Sequence, residues 1–136
     1  YPLKNTFDNA GMGMLGELEK PAGEEQFLKQ LKEIFGTPCI KHTKLLSRDI
    51  KKVAVCGGSG SFLIGNAIKA NADIFVTADV KFHQFFDADD QLLIADIGHY
   101  ESEQFTKDVF YDILTKKIPN FAFYLSETNT NPVFYF

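Results

Sequence analysis

The chain alternates short apolar runs with helical patterns, and this alternation constrains its fold more than any other feature. The apolar runs cover residues 52–56, 73–77, 92–96 and 121–125. The helical patterns cover residues 62–70, 80–88 and 99–118. Apolar strands without polar alternation are typical of parallel sheets that are covered on both faces. We therefore predict an α/β fold with a largely parallel or mixed sheet and helices on both faces.

Two further elements are expected before this alternation begins. Residues 12–18 predict a short strand after a turn-prone segment. A helix is expected from about Pro21, and it should end at Gly36. Its apolar face consists of Phe27, Leu28, Leu31, Ile34 and Phe35. In the helix predicted over 99–118, the inward side chains are Phe105, Val109, Phe110, Ile113 and Leu114.

Length and charge narrow the functional classes. A chain of 136 residues fits one domain, so we expect residues 1–136 to form a single α/β domain. The net charge of −4 argues against binding to nucleic acid or to an anionic membrane surface. No apolar run approaches the roughly 20 residues of a membrane span. Cys39 and Cys56 are too few for a disulfide framework, so we expect two buried, reduced thiols and a cytoplasmic protein.

A glycine-rich segment, Gly57, Gly58, Ser59 and Gly60, follows the first of the apolar runs and precedes a helix. Glycines let the backbone approach an anion, and a helix N-terminus favours negative charge, so these residues are candidates for binding substrate phosphate. The alternative is a tight strand-to-helix turn in which Ser59 or Ser61 caps the helix. The spacing matches neither GxGxxG nor a Walker motif, and both interpretations stay open.

Polar residues also follow the next apolar run, over residues 77–83. Asp79 is either the N-cap of the following helix or a metal ligand. His83 is a candidate metal ligand or proton carrier, although a lone histidine is more often structural.

A third polar segment, residues 96–103, follows the run at 92–96. On a helix His99 and Glu103 would point the same way, so they could hold one divalent cation between an imidazole and a carboxylate. The alternative is a first-turn histidine with acidic residues that favour the helix dipole. A catalytic zinc site takes about three protein ligands, so the others would come from His83, Asp96, Asp79, another subunit or sequence beyond these residues. His42 is expected on an exposed strand and receives no role.

At these motifs the chain resembles the carboxy-terminal part of the NIF-three-like family, whose members are also named GTP cyclohydrolase type-two homologues. The resemblance rests on residues 53–60, 72–83 and 96–103, and it extends over nearly the whole chain. Residues 11–18 and 129–132 fit as well.

The resemblance implies two divalent metal ions, of the zinc, iron or manganese class, in a cleft between two similar α/β halves. His99 and Glu103 are the ligands that this half would contribute, and the other half would supply the rest. The chain opens at Tyr1 without a methionine. With the resemblance, this start leads us to expect a carboxy-terminal fragment of a longer protein. The resemblance also implies that the intact protein assembles as a toroidal homo-hexamer.

Three positions depart from the family's Thr-Gly-Asp-x-Lys-Tyr-His-Asp pattern. Ala78, Phe82 and Gln84 stand where the family has Gly, Tyr and the final Asp. The loss of that Asp removes a group expected near the metals, which bears on the role of His83.

The leading hypothesis is a metal-dependent hydrolase of the GTP-cyclohydrolase kind that acts on a nucleotide. The second is a non-catalytic, metal-stabilised oligomeric scaffold that binds a regulator protein. The aromatic segments at 82–86 and 134–136 are compatible with such a docking surface, and core packing explains them at least as well.

Overall fold

The computed structural model describes residues 11–136. The chain divides into two compact units, of which the first ends at Ser102 and the second comprises Glu103–Phe136. The prediction of one domain over residues 1–136 stays a prediction.

The first unit is built on a mixed five-stranded sheet. Its strands are β1 (Met14–Gly23), β2 (Lys41–His42), β3 (Asp49–Ser59), β4 (Ile74–Ala78) and β5 (Leu93–Asp96). They lie in the order β1-β3-β4-β5-β2. The three central strands are parallel, whereas the edge strands β1 and β2 pair antiparallel with β3 and β5. This sheet confirms the predicted α/β class.

Helical segments lie between the strands and after the last of them. The α-helices are α1 (Glu24–Phe35), α2 (Ile64–Lys69), α3 (His99–Glu103) and α4 (Thr106–Lys117). Two 3₁₀ segments lie at Ser61–Leu63 and Phe82–Ala88. Among the described residues, none of these helices is long and apolar enough to cross a bilayer.

Apolar side chains are buried on both faces of the sheet, as the unbroken apolar runs predict. Buried side chains of one face come from β3, β4, β5 and α2: Ala54, Phe75, Ile94, Ile64 and Ala67. Those of the other face come from the same strands and α1: Ile50, Ile74, Val76, Leu93, Phe27 and Leu31. Alternate residues of β4 therefore serve different faces, since side chains alternate along a strand. Helices cover both faces, which confirms the layered arrangement.

The start of α1 differs from the prediction. Pro21 lies in β1, and the helix begins only after Gly23. The register of β1 against β3 is irregular between Glu17 and Ala22, and an irregular edge strand is where proline is tolerated in a sheet. The predicted end is confirmed, because Gly36 caps the helix in the left-handed conformation, with φ 61°.

Three further local predictions need correction. The predicted helix over 80–88 is a 3₁₀ helix that starts at Phe82. β3 continues to Ser59, so the glycine-rich segment is strand for three of its residues. Of the two cysteines, Cys56 is buried but Cys39 is exposed. His42 is exposed on β2, as predicted.

In the second unit the predicted long helix is interrupted. α3 ends at Glu103 and α4 begins at Thr106, and α4 has no buried residue. The side chains predicted to face inward are exposed: Phe105, Val109, Phe110, Ile113 and Leu114. Residues 121–125 are not a strand. A strand needs a paired neighbour for its backbone groups, and the described part of this unit contains no other strand.

Candidate functional site

The carboxyl ends of the parallel strands bring two polar segments to one edge of the sheet. Thr77 pairs with Asp96 in the register of β4 and β5, so the segments that follow these strands start side by side. Asp79 lies in one and His99 in the other. Ligands of open α/β sheets bind at this edge, which makes it the candidate site.

Asp79 and His99 are in direct contact. The distance from His99 Nδ1 to Asp79 Oδ2 is 2.6 Å. The two side chains are 52% and 50% exposed, so the pair faces solvent on one side. Asp79 is not an N-cap, because the residue in that position of the 3₁₀ helix is Lys81. The sequence named both residues but not their contact.

Asp96 is buried and is held by three donors. Val80 N and Gly98 N donate to its two oxygens at 3.0 and 3.2 Å, and Lys41 Nζ lies 2.7 Å from Oδ2. These contacts satisfy the charge of a carboxylate whose side chain is 1% exposed. In the structure Asp96 connects the segments after β4 and β5 to the edge strand β2. Sequence reasoning missed Lys41, which no local pattern linked to this edge.

The glycine-rich segment is tied to the start of α3. Gly58 N donates to Ser102 Oγ at 2.8 Å, and that hydroxyl donates to the carbonyl of His99 at 2.8 Å. The carbonyl of Gly58 accepts from Thr77 Oγ1 at 3.2 Å. Sequence reasoning gave neither Ser102 nor Thr77 a role.

The turn itself also differs from its predicted capping. Gly60 is the cap residue of the 3₁₀ segment, without a side-chain cap, so neither Ser59 nor Ser61 plays that part. A Cβ on Gly60 would lie 2.4 Å from Thr77 Oγ1, so packing alone requires glycine there. The phosphate-binding role predicted for Gly57, Gly58, Ser59 and Gly60 stays a prediction.

Two other predicted site residues, His83 and Glu103, are exposed. His83 lies on the 3₁₀ helix. Glu103 is the first residue of the second unit. The roles of His83 as proton carrier and of Glu103 as partner of His99 stay predictions.

The side chains at the candidate site are of the types that bind metal ions, but too few of them are grouped together. A histidine that binds metal almost always donates its other ring N–H to a carboxylate, carbonyl or water, and His99 has such a carboxylate in Asp79. Within residues 11–136, however, no three His, Cys, Asp or Glu side chains are grouped so that they could hold an ion. A metal ion at His99 would therefore need ligands in addition to those that residues 11–136 bring together.

The sequence matches the family model described as Duf34/NIF3 (NGG1p interacting factor 3) over residues 1–132. It is 40% identical over 100 residues to a "GTP cyclohydrolase 1 type 2 homolog" of Halalkalibacterium halodurans, covering 73% of this chain and 27% of that protein. A protein of the same name from Staphylococcus epidermidis is 37% identical over 130 residues, which is 92% of this chain and 35% of that protein. The crystal structure of a Staphylococcus aureus protein superimposes with a TM-score of 0.80 at 27% identity, covering 93% of this chain and 42% of that one. The chain thus spans about a third of the length of these curated relatives.

Proposed function

Because the chain belongs to the Duf34/NIF3 family, we propose that it supplies His99 and Glu103 to the divalent-metal site of a hydrolase. The name shared by its relatives, GTP cyclohydrolase 1 type 2 homolog, favours a nucleotide as the substrate. The whole protein in this proposal holds two ions of the zinc, iron or manganese class and forms a homo-hexamer.

One observation carries the proposal. The contact of 2.6 Å between His99 Nδ1 and Asp79 Oδ2 is the arrangement in which a carboxylate orients a metal-binding imidazole. It lies at the carboxyl edge of the parallel strands, where α/β proteins bind ligands. Glu103 is included in the proposed site because it lies four residues after His99 in the sequence.

Two ligands are one short of the three that catalytic zinc sites take from the protein. The curated relatives are about three times as long as this chain, so their sequence has room for further ligands. In the proposed site the missing ligands come from polypeptide outside residues 11–136.

A divalent ion bound there would lower the pKa of a water molecule and polarise the bond under attack. His99 and Glu103 would hold the ion, and Asp79 would hold the imidazole of His99. His83, which is exposed, would move a proton to or from the substrate. Backbone groups of the glycine-rich segment, residues 57–60, would approach the substrate phosphate.

The experiment compares His99→Ala with His42→Ala in the intact protein that carries this sequence. His42 is the matched control, since it is also an exposed histidine but lies on the edge strand β2. Metal content is measured by elemental analysis after dialysis, and hydrolysis is measured on a panel of nucleotides. His99→Ala is expected to lose metal and turnover, and His42→Ala to keep both. If His99→Ala keeps its full metal content, the proposed ligand is wrong.

Exposed aromatic side chains favour a second candidate, a metal-stabilised scaffold that binds a regulator protein. Phe82 and Phe86 are 82% and 71% exposed and stack edge to face, with ring centroids 5.5 Å apart. A cleft of about 410 Å³ lies beside Phe85 and Phe86 and is lined in part by Leu46 and Leu92. Retained metal without turnover of any nucleotide in the panel would favour this scaffold over the hydrolase.

A further inference from the structure

The backbone around Asp79 and His99 is fixed by one buried group. Asp96 accepts from the amide that follows Asp79, Val80 N, and from the amide that precedes His99, Gly98 N. Because the same carboxylate holds both segments, the positions from which the two side chains extend are set by the core. The contact between them is therefore built into the fold, as a preorganised site requires.

The backbone of Asp79 is left-handed, as it is at four other non-glycine residues in the described part of the chain. Its φ is 55°, in the left-handed region that residues other than glycine seldom adopt. Aspartate and asparagine are the side chains best tolerated there. Asp79 directly follows the last residue of β4, and from this position its carboxylate contacts the imidazole of His99.

The main chain of His99 is held as well. Its carbonyl accepts from Ser102 Oγ, and the same hydroxyl accepts from Gly58 N. The imidazole thus extends from a backbone that is tied to the ends of β3 and β5, while its ring is held by Asp79.

We propose that Asp79 is the positioning residue of His99, accepting the Nδ1–H of the ring and so presenting Nε2 as the nitrogen that binds metal. A carboxylate only accepts, so in a neutral ring that faces one the proton belongs on Nδ1 and the lone pair on Nε2. As far as it concerns metal, the inference rests on the proposed function. The state of the ring does not, because it exists without metal.

The test measures the tautomer of His99 in the metal-free chain by long-range ¹H–¹⁵N NMR, with signals assigned by His99→Ala. The wild-type ring is expected in the Nδ1–H form. In Asp79→Asn it is expected to become a mixture that contains the Nε2–H form, since an amide donates as well as accepts. Asn tolerates the left-handed conformation, so this variant changes the acceptor and leaves the backbone in place.

Asp90→Asn is the matched control. Asp90 also has a left-handed φ, 54°, and is exposed, and its carboxylate contacts Lys44 Nζ, a donor other than His99. This variant is expected to leave the His99 tautomer unchanged. A wild-type ring in the Nε2–H form, or an unchanged tautomer in Asp79→Asn, would overturn the assignment whatever the metal does. The wild-type measurement alone decides this if a variant fails to fold.

Metal affinity of the intact protein separates this inference from the proposed function. Asp79→Asn is expected to weaken zinc binding about 10- to 100-fold, the usual effect of losing the group that orients a metal-binding histidine. Asp90→Asn is expected to leave zinc binding unchanged. Zinc affinity and tautomer both unaffected by Asp79→Asn would refute the positioning role alone. A wild-type protein that binds no divalent ion, but has the expected tautomer, would refute the proposed function alone.

Discussion

At the scale of single residues, Asp96 determines the geometry of the candidate site without being available to a ligand. Its two oxygens accept from Val80 N and Gly98 N, and its charge is balanced by Lys41. Val80 is buried and the Gly98 contact is partly buried, so these two amides depend on Asp96 for their hydrogen bonds, whereas the Lys41 side chain is 61% exposed and also reaches water.

Asp96→Ala is predicted to destabilise the fold by about 2–5 kcal/mol. The substitution leaves the amides of Val80 and Gly98 without their acceptor, and it creates a small cavity. Urea unfolding followed by circular dichroism measures the change in the free energy of unfolding. The control is Asp90→Asn, which removes the charge of an exposed pair with Lys44 but keeps a side chain that tolerates the left-handed backbone, and it should cost at most about 1 kcal/mol. Equal losses in the two variants would show that Asp96 has no special structural role.

The sequence identified His99 from its spacing and its place after a strand, but it could not identify the partner of His99. Asp79 is 20 residues away, and only the parallel pairing of β4 and β5 brings the two together. Spacing patterns report contacts within one helix or one strand. Contacts between the ends of neighbouring strands depend on strand order. The contacts of Ser102 with Gly58 and of Lys41 with Asp96 could therefore not be predicted from the sequence either.

At the scale of elements, the turn from β3 into α2 depends on how closely its backbone passes the neighbouring strand. A Cβ on Gly60 would lie 2.4 Å from Thr77 Oγ1 and 2.8 Å from Cys56 Cβ. Thr77 and Cys56 are both buried, so neither has free space into which it can move. Five residues later, a Cβ on Gly65 in α2 would meet nothing within 4 Å.

Gly60→Ala and Gly65→Ala are therefore predicted to have opposite effects on stability. Gly60→Ala should cost about 1–3 kcal/mol, because the methyl group overpacks a site without space. Gly65→Ala should add up to about 1 kcal/mol, because alanine favours helix in an open position. Thermal unfolding of the two variants beside the wild type measures both. A neutral or stabilising Gly60→Ala would contradict the close approach.

The central strands and α1 were predictable because their signals are local. Unbroken apolar runs gave β3, β4 and β5, and an apolar face with a terminal glycine gave α1. The incorrect predictions concern segments whose structure depends on strand pairing or on packing with distant residues. Residues 121–125 have the composition of a strand but no strand beside them in the described part of their unit. Pro21 has the position of a helix start, yet an irregular edge strand accommodates it.

At the scale of the whole molecule, the fold class follows from the sequence but the completeness of the site does not. Alternating strands and helices require a covered sheet whatever lies outside the chain. A metal site, in contrast, depends on how many donors converge, and within residues 11–136 no group of three does so. The curated relatives of this chain are about three times as long, and in the proposed function that additional sequence supplies the missing ligands.

This difference leads to a prediction for the 136-residue chain studied alone. It should bind zinc more weakly than micromolar, since the proposed ligands, His99 and Glu103, number two where a catalytic site takes about three. Titration in competition with a chromophoric chelator measures the affinity, and His99→Ala should abolish whatever weak binding is present. His42→Ala should leave it unchanged, because this histidine lies on the edge strand β2. Micromolar or tighter binding by the wild-type chain would contradict the ligand count, and it would mean that residues 1–136 close a metal site by themselves or between copies.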